Sequence, residues 1–189
     1  MKIFNFVVAV VVAGVLFAGC AVKEIVDIKP YESKYAEESV NKKIELIAVN
    51  DKRKTDIVST VIEAGKVKNK YKTSADLESW FKDALMKDLS TAGIKNMSGA
   101  NTTLEVNILK LDTVFSYDIA KNLTGSVELE LVFKNDGTTY KKFIKHTYNK
   151  FKGSMIDAQS FEEFVYDNLS DSVVNSIKAT VMTLKDDTK

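Results

Sequence analysis

From Leu77 onward the chain repeats apolar side chains at three- and four-residue steps: Leu77, Trp80, Phe81, Ala84, Leu85, Leu89 and Ala92. That spacing places them on one face of a helix. Thr73 or Ser74 is placed to cap its start, Asp76 sits where the positive N-terminal end favours an acid, and Gly93 suits a C′ stop. The period then changes to two. Leu104, Val106 and Ile108 alternate, after which the parity shifts to Leu109, Leu111, Phe115 and Tyr117. One strand cannot change faces without an extra residue, so the shift predicts a β-bulge near Ile108 to Lys110. Leu123 to Phe133 alternates cleanly, Asn135-Asp136-Gly137 is a strong hairpin signal, and Thr138 to Phe151 is rich in β-branched and aromatic residues. A capping box, Ser160-Phe161-Glu162-Glu163, opens a last helix whose stripe runs from Phe161, Phe164 and Val165 through Leu169 and Val173 to Leu184.

Ahead of the first helix, Ile44 to Val49 reads as a compact apolar strand, and Asn50 to Lys54 as a polar turn. A shorter extended piece from Ile57 to Ala64 stops at Gly65, and Lys66 to Lys72, with its four lysines, reads as a solvated loop. The expected order is strand, short strand, helix, three antiparallel strands, helix. Its plainest arrangement is α+β: a two-layer sandwich, with a mostly antiparallel sheet of about four strands and two helices on one face. This single domain spans residues 44–185. Residues 20–43 are polar, have no sustained period and hold the only proline, Pro30. They read as a tether, with at most a short strand around Val22 to Ile28; if flexible, some twenty residues reach roughly 25 Å.

The first twenty residues have a different pattern. Lys2 supplies a positive start, Phe6 to Phe17 is an apolar run, and the segment closes in Leu16-Phe17-Ala18-Gly19-Cys20. The run is short for a membrane span but suits a secretory leader. Its ending resembles the bacterial lipobox, in which a cysteine after small residues is acylated and becomes the new N-terminus; Phe17 stands where that pattern usually has leucine. Residues 1–19 are therefore expected to be a signal peptide, and Cys20 the lipidated residue that holds the chain to a membrane. Ala21, rather than aspartate, follows Cys20, which points to the outer membrane, facing the periplasm.

Charge adds mainly exclusions. Lys and Arg number 27 against 26 acids, so nothing electrostatic calls for nucleic acid as a partner. Arg53 is the only arginine, which rules out phosphate recognition by an arginine cluster. With one cysteine and one histidine, no intrachain disulfide or Cys/His zinc cluster can form. No spacing points to another metal site or to a cofactor. His146 has no nucleophile elbow around any serine to serve it, and the glycines are scattered singly rather than gathered in a phosphate loop. Enzymatic activity is not expected.

One stretch invites a binding role. In Thr138 to Phe151 both parities carry bulk, with Phe143 and Phe151 on one and Tyr140, Ile144 and Tyr148 on the other, among interleaved lysines. Tyr140, Lys142, Ile144, His146 and Tyr148 are the candidate interaction surface, expected on the sheet face away from the helices and suited to a protein partner, an acidic polysaccharide or lipid headgroups, the alternative being an edge strand protected by lysines.

Cys20, the strand Ile44 to Val49 followed by Asp51-Lys52-Arg53, and the helix ending Leu85-Met86-Lys87-Asp88-Leu89-Ser90-Thr91-Ala92-Gly93-Ile94 carry a family likeness. With the strand Leu104 to Leu111 and the closing helix, the chain resembles the YajG-type family of small bacterial lipoproteins. The resemblance implies an envelope lipoprotein and supplies no catalytic residues. The function expected is a non-enzymatic accessory or interaction module of a cell-envelope complex, with an envelope protein as partner. The alternative is a lipid- or glycolipid-binding auxiliary subunit of an envelope transport or assembly system, which would hold an amphiphile between sheet and helices.

Overall fold

The computed structural model describes residues 25–36, 39–117, 122–151 and 158–186. The lipobox and Cys20 lie outside them. In chain order the elements are β1 (Ile25–Val26), β2 (Lys42–Asp51), β3 (Ile57–Glu63), β4 (Lys66–Thr73), α1 (Leu77–Thr91), β5 (Ile94–Asn96), β6 (Thr102–Ser116), β7 (Asn122–Asn135), β8 (Thr138–Phe151) and α2 (Ala158–Asp186).

The three long antiparallel strands are where the alternation put them. β6 pairs β7, β7 pairs β8, and the β6–β7 register shifts between Ile108 and Lys110, at the expected bulge. The β7–β8 hairpin turns through Asp136 and Gly137, both at positive φ, with Asn135 opposite Thr138. Helix α1 begins later than expected: Asp76 is its N-cap and accepts from the backbone N–H groups of Glu78 and Ser79. Gly93 ends it at φ +72°, and a Cβ there would meet the backbone oxygen of Val40 at 2.7 Å. α2 starts at Ala158, so the expected capping box at Ser160 falls inside its first turn.

The sheet itself is not the expected four-stranded antiparallel sandwich. It has eight strands, is mixed and curls into a half-barrel, with half of the chain in strands. Two readings led the expectation astray. Lys66 to Lys72 is not a loop but strand β4, joined to β3 by a tight hairpin through Ala64 and Gly65, both at positive φ. Its lysines decorate the solvent side, while Tyr71 turns inward against Phe161 at 5.6 Å. In addition, the second edge of β6 is shared. β2 runs parallel to its first half, from Glu45↔Thr103 to Asp51↔Ile108. β3 runs parallel to its second half, from Ser59↔Thr113 to Ile62↔Ser116. Beyond β2 lies β5, and beyond β3 lie β4 and then β1. Parallel neighbours distant in sequence leave no local signal.

Helix α1 packs on β2 and β5, α2 packs on β7 and β8, and the two helices touch. Between helices and sheet, Ile44, Phe81, Leu85, Leu104, Leu129, Phe133, Phe164 and Leu169 are each no more than 1% exposed. Gly125 allows the closest approach. Its strand lies so near α2 that a Cβ would stand 2.4 Å from Nδ2 of Asn168, so the Asn168 and Phe164 side chains of the helix rest on the β7 backbone there.

Two substitutions test this packing in denaturant melts. Leu169→Ala removes a fully buried side chain and is expected to cost about 2–5 kcal/mol. Gly125→Ala forces the Asn168 side chain out of its place against β7, with a cost of about 1–3 kcal/mol. Lys145→Ala, which breaks only the exposed pair with Glu128 at 3.2 Å, should stay within roughly 0.5 kcal/mol. A neutral Leu169→Ala would mean that α2 does not pack on the sheet.

Candidate functional site

Residues 25–36, expected to belong to a tether, form a strap across both helices. Val26 (1% exposed) pairs with Thr73, and Tyr31 (3%) and Tyr35 (5%) are buried in the core. The strap is fastened at a polar node. Tyr31 Oη donates to Oδ2 of Asp88 at 2.5 Å, and Ser33 Oγ donates to its Oδ1 at 2.5 Å, so a carboxylate with no exposed surface is held at both oxygens. Trp80 Nε1 donates to the Lys29 carbonyl at 2.8 Å, and Lys87 Nζ to that of Tyr31 at 2.8 Å. From α2, the Tyr166 hydroxyl accepts from the Glu32 backbone at 3.0 Å, and Asp167 pairs with Lys34 at 3.0 Å. Burial, then the hydrogen bond to Asp88, pushes the Tyr31 phenol well above the ordinary tyrosine pKa.

The five candidate residues of β8 share one face, but it is the face that α2 covers and not, as expected, the one away from the helices. Tyr140 stacks on Phe133 at 5.2 Å and Tyr148 on Phe164 at 5.2 Å, while Ile144 packs against the core. His146 lies between Asn175, 3.3 Å from its Nδ1, and Asp171, 3.7 Å from its Nε2. Lys142 is half-buried beside them. The opposite parity faces solvent, with Phe143 at 68% exposure between Lys141 and Lys145.

That outer face carries a polar ladder across four strands. Asn50 donates to Glu105 and Asn107, both at 3.0 Å. Asn107, 1% exposed, donates to Glu130 at 2.9 Å, and Glu130 receives Lys141 at 2.9 Å. Lys141 first and Asn107 second hold the Glu130 carboxyl below the ordinary range. Where β2 ends and β3 begins, the connection 52–56 overhangs the β6 bulge and leaves a cleft of about 620 Å³. Lys52, Arg53, Lys70 and Lys110 line it from three elements. Among the described residues no group of three His, Cys, Asp or Glu side chains could hold a metal ion, and no helix is long and apolar enough to cross a membrane.

Sequence reading passed over both the strap and this cleft. The strap buries tyrosines without a period, against residues more than fifty positions away. For the cleft one signal existed: a chain that uses lysine everywhere else keeps its single arginine at 53, where a two-pronged grip on Asp51 needs the planar fork.

A family model described as "Uncharacterized lipoprotein" matches residues 31–179. No curated protein matches the chain. Among solved structures, protein XCC0632 from Xanthomonas campestris, of the DUF330 family, aligns with a TM-score of 0.57 at 12% identity, over 87% of this chain and 98% of that one. A second, an uncharacterized protein, gives 0.47 at 14% identity over 79% and 99%. Rare lipoprotein B from Shewanella oneidensis gives 0.34 at 12% over 67% and 98%. The first likeness shows a shared fold and nothing about activity; the other two are too distant in shape to support an argument.

The strap yields a pH-dependent test. A phenol with a folded pKa above its unfolded value of about 10 adds stability that is fully present below pH 10, then lost as pH rises toward the folded value. Tyr31→Phe strands a buried carboxylate oxygen and should cost about 1–3 kcal/mol at pH 8. Urea melts at pH 8 and pH 11 should show the gap between wild type and variant shrinking at the higher pH. An unchanged gap would mean that the phenol is not held against Asp88.

Proposed function

The chain belongs to the Lipoprotein_16 family of uncharacterized lipoproteins, and we propose that it serves as a non-enzymatic accessory module of a cell-envelope complex, held close against its membrane. As a lipoprotein it is membrane-associated, in keeping with the YajG-type resemblance. The finer reading is that the leader is removed before Cys20, that acyl chains on Cys20 form the anchor, and that the domain faces the periplasm from the outer membrane.

The observation that carries this reading is the strap. A free tether from Cys20 to residue 43 would let the domain wander, but the strap enters the fold at Ile25. Five residues of extended chain reach roughly 17 Å. The domain would therefore sit on the bilayer with its β1–β4 edge nearest the lipid, presenting β8 and the outer sheet face sideways to a partner. Phe143, exposed between two lysines, is the most accessible anchor there. On the covered face of β8, Tyr140, Lys142, Ile144, His146 and Tyr148 would meet a partner only at the α2 rim.

A non-enzymatic role agrees with how the reactive groups are engaged: His146 braces β8 against α2, and Asp88 fastens the strap. The closely packed sheet–helix interface supports the accessory reading over an amphiphile held between the layers.

Cys20→Ser is expected to leave an unprocessed precursor that takes up no labelled palmitate; equal labelling of variant and wild type would remove the anchor. Wild-type protein should fractionate with outer-membrane markers, and recovery with the inner membrane would correct the sorting.

For the partner, a photo-crosslinking residue at position 143 is expected to capture an envelope protein, whereas one at exposed Met182 on α2 should not. Equal silence at both positions would count against β8 as the partner surface.

A further inference from the structure

We propose that the cleft at the β2–β3 junction is a binding site for a phosphate-type oxyanion, with Arg53 at its base. Arg53 is held as few surface arginines are. Its Nε donates to Asp51 Oδ1 at 2.8 Å and its Nη2 to Oδ2 at 2.8 Å, and the side chain is only 8% exposed. Asp51 thereby occupies one edge of the guanidinium. The remaining nitrogen, Nη1, is shielded from solvent and has no hydrogen-bond partner among the described residues. A desolvated cationic donor without an acceptor is costly, and Arg53 is one of the residues that line the cleft, as it also lines the neighbouring acidic pocket of Asp51, Asp56, Asp76 and Glu78.

The surroundings fit an anion with acceptors in several directions. Lys52 and Lys54 come from the connection, Lys70 from β4 and Lys110 from the β6 bulge. With Arg53 these are five positive charges; against them stand Asp112 and Glu128 in the lining, Asp51 on Arg53 and Glu105, 3.6 Å from Lys52, which leaves +1. Glu128 is further offset by Lys145 at 3.2 Å. Cations converging from three elements suit a tetrahedral, multiply charged group, whereas a planar carboxylate is satisfied by a single fork. Ile57 and Leu109 add an apolar wall, against which the organic part of a phosphate ester could rest.

Two sources offer this chemistry: free phosphate and a lipid headgroup. Lys70 stands two residues from Lys72, which pairs with Ile25, so the cleft shares strand β4 with the start of the strap. The site itself does not depend on the anchor, which bears only on which source is near.

Because Arg53 is the only arginine, its guanidinium N–H signal is unique in a nitrogen-15 spectrum of the full chain in non-ionic detergent. Titration with inorganic phosphate, and separately with dihexanoyl phosphatidic acid, is expected to move that signal saturably, while sodium chloride at matched ionic strength does not. Lys54→Ala/Lys70→Ala, two exposed positions, should weaken binding by roughly tenfold with unchanged melting. Tighter binding of the lipid assigns the site to a headgroup, and equal or tighter binding of inorganic phosphate assigns it to the free ion; either supports the proposal. A signal that moves no further than in chloride, or binding unchanged in the double variant, overturns it. The outcome with Cys20→Ser is separate, so this site and the lipoprotein reading can fail independently.

Discussion

Everything in this fold is arranged around a strand that must serve two neighbours on one edge. β6 gives its entire opposite edge to β7, but shares the other between β2, up to Ile108, and β3, from Thr113. The bulge at Ile108–Lys110 falls in the gap between these pairings. An extra residue there increases the local twist and bends the strand, which suits a sheet that has to turn toward a new partner. The curl of the half-barrel, the overhanging connection 52–56 and the cleft beneath it all follow from this handover.

The second organising element is the strap, which joins parts that would otherwise meet only across the core. Asp88 on α1 receives Tyr31 and Ser33, while Tyr166 and Asp167 on α2 receive the Glu32 backbone and Lys34. A buried acid is tolerable because both oxygens are satisfied. Lys29 at 4.3 Å and Lys34 at 5.3 Å from the centre of the Tyr166 ring add cation–π contacts at the same seam.

Much of this was legible in the chain, and the rest was hidden for identifiable reasons. Apolar stripes marked both helices, since burial on one face imposes a period of 3.6 residues. Parity located the bulge before any pairing was known, and Asn135-Asp136-Gly137 located the hairpin. β4 escaped because a strand with lysine at every second position looks like a loop when its other side sends only the partly buried Tyr71 against the core. β1 and β5, two and three residues long, are too short to show a period. The five β8 residues share a face, as their parity requires, but it is the one α2 covers and not the one expected to lie away from the helices, a choice that parity alone does not decide. The cleft draws on positions from 52 to 128, and only the solitary arginine marked it in advance.

The strap also orders events in time. Its partners on α2 lie more than 130 residues further along the chain, as with Glu32 and Tyr166, so a segment synthesised early is among the last to find its place. Until the C-terminal helix exists, Tyr31 can meet Asp88 but the strap has no second wall to lie against. Non-local closure of this kind slows folding, because a large loop must be ordered before the contact is made. Loss of α2 by truncation would thus loosen residues 25–36, making the closing helix a latch on the strap.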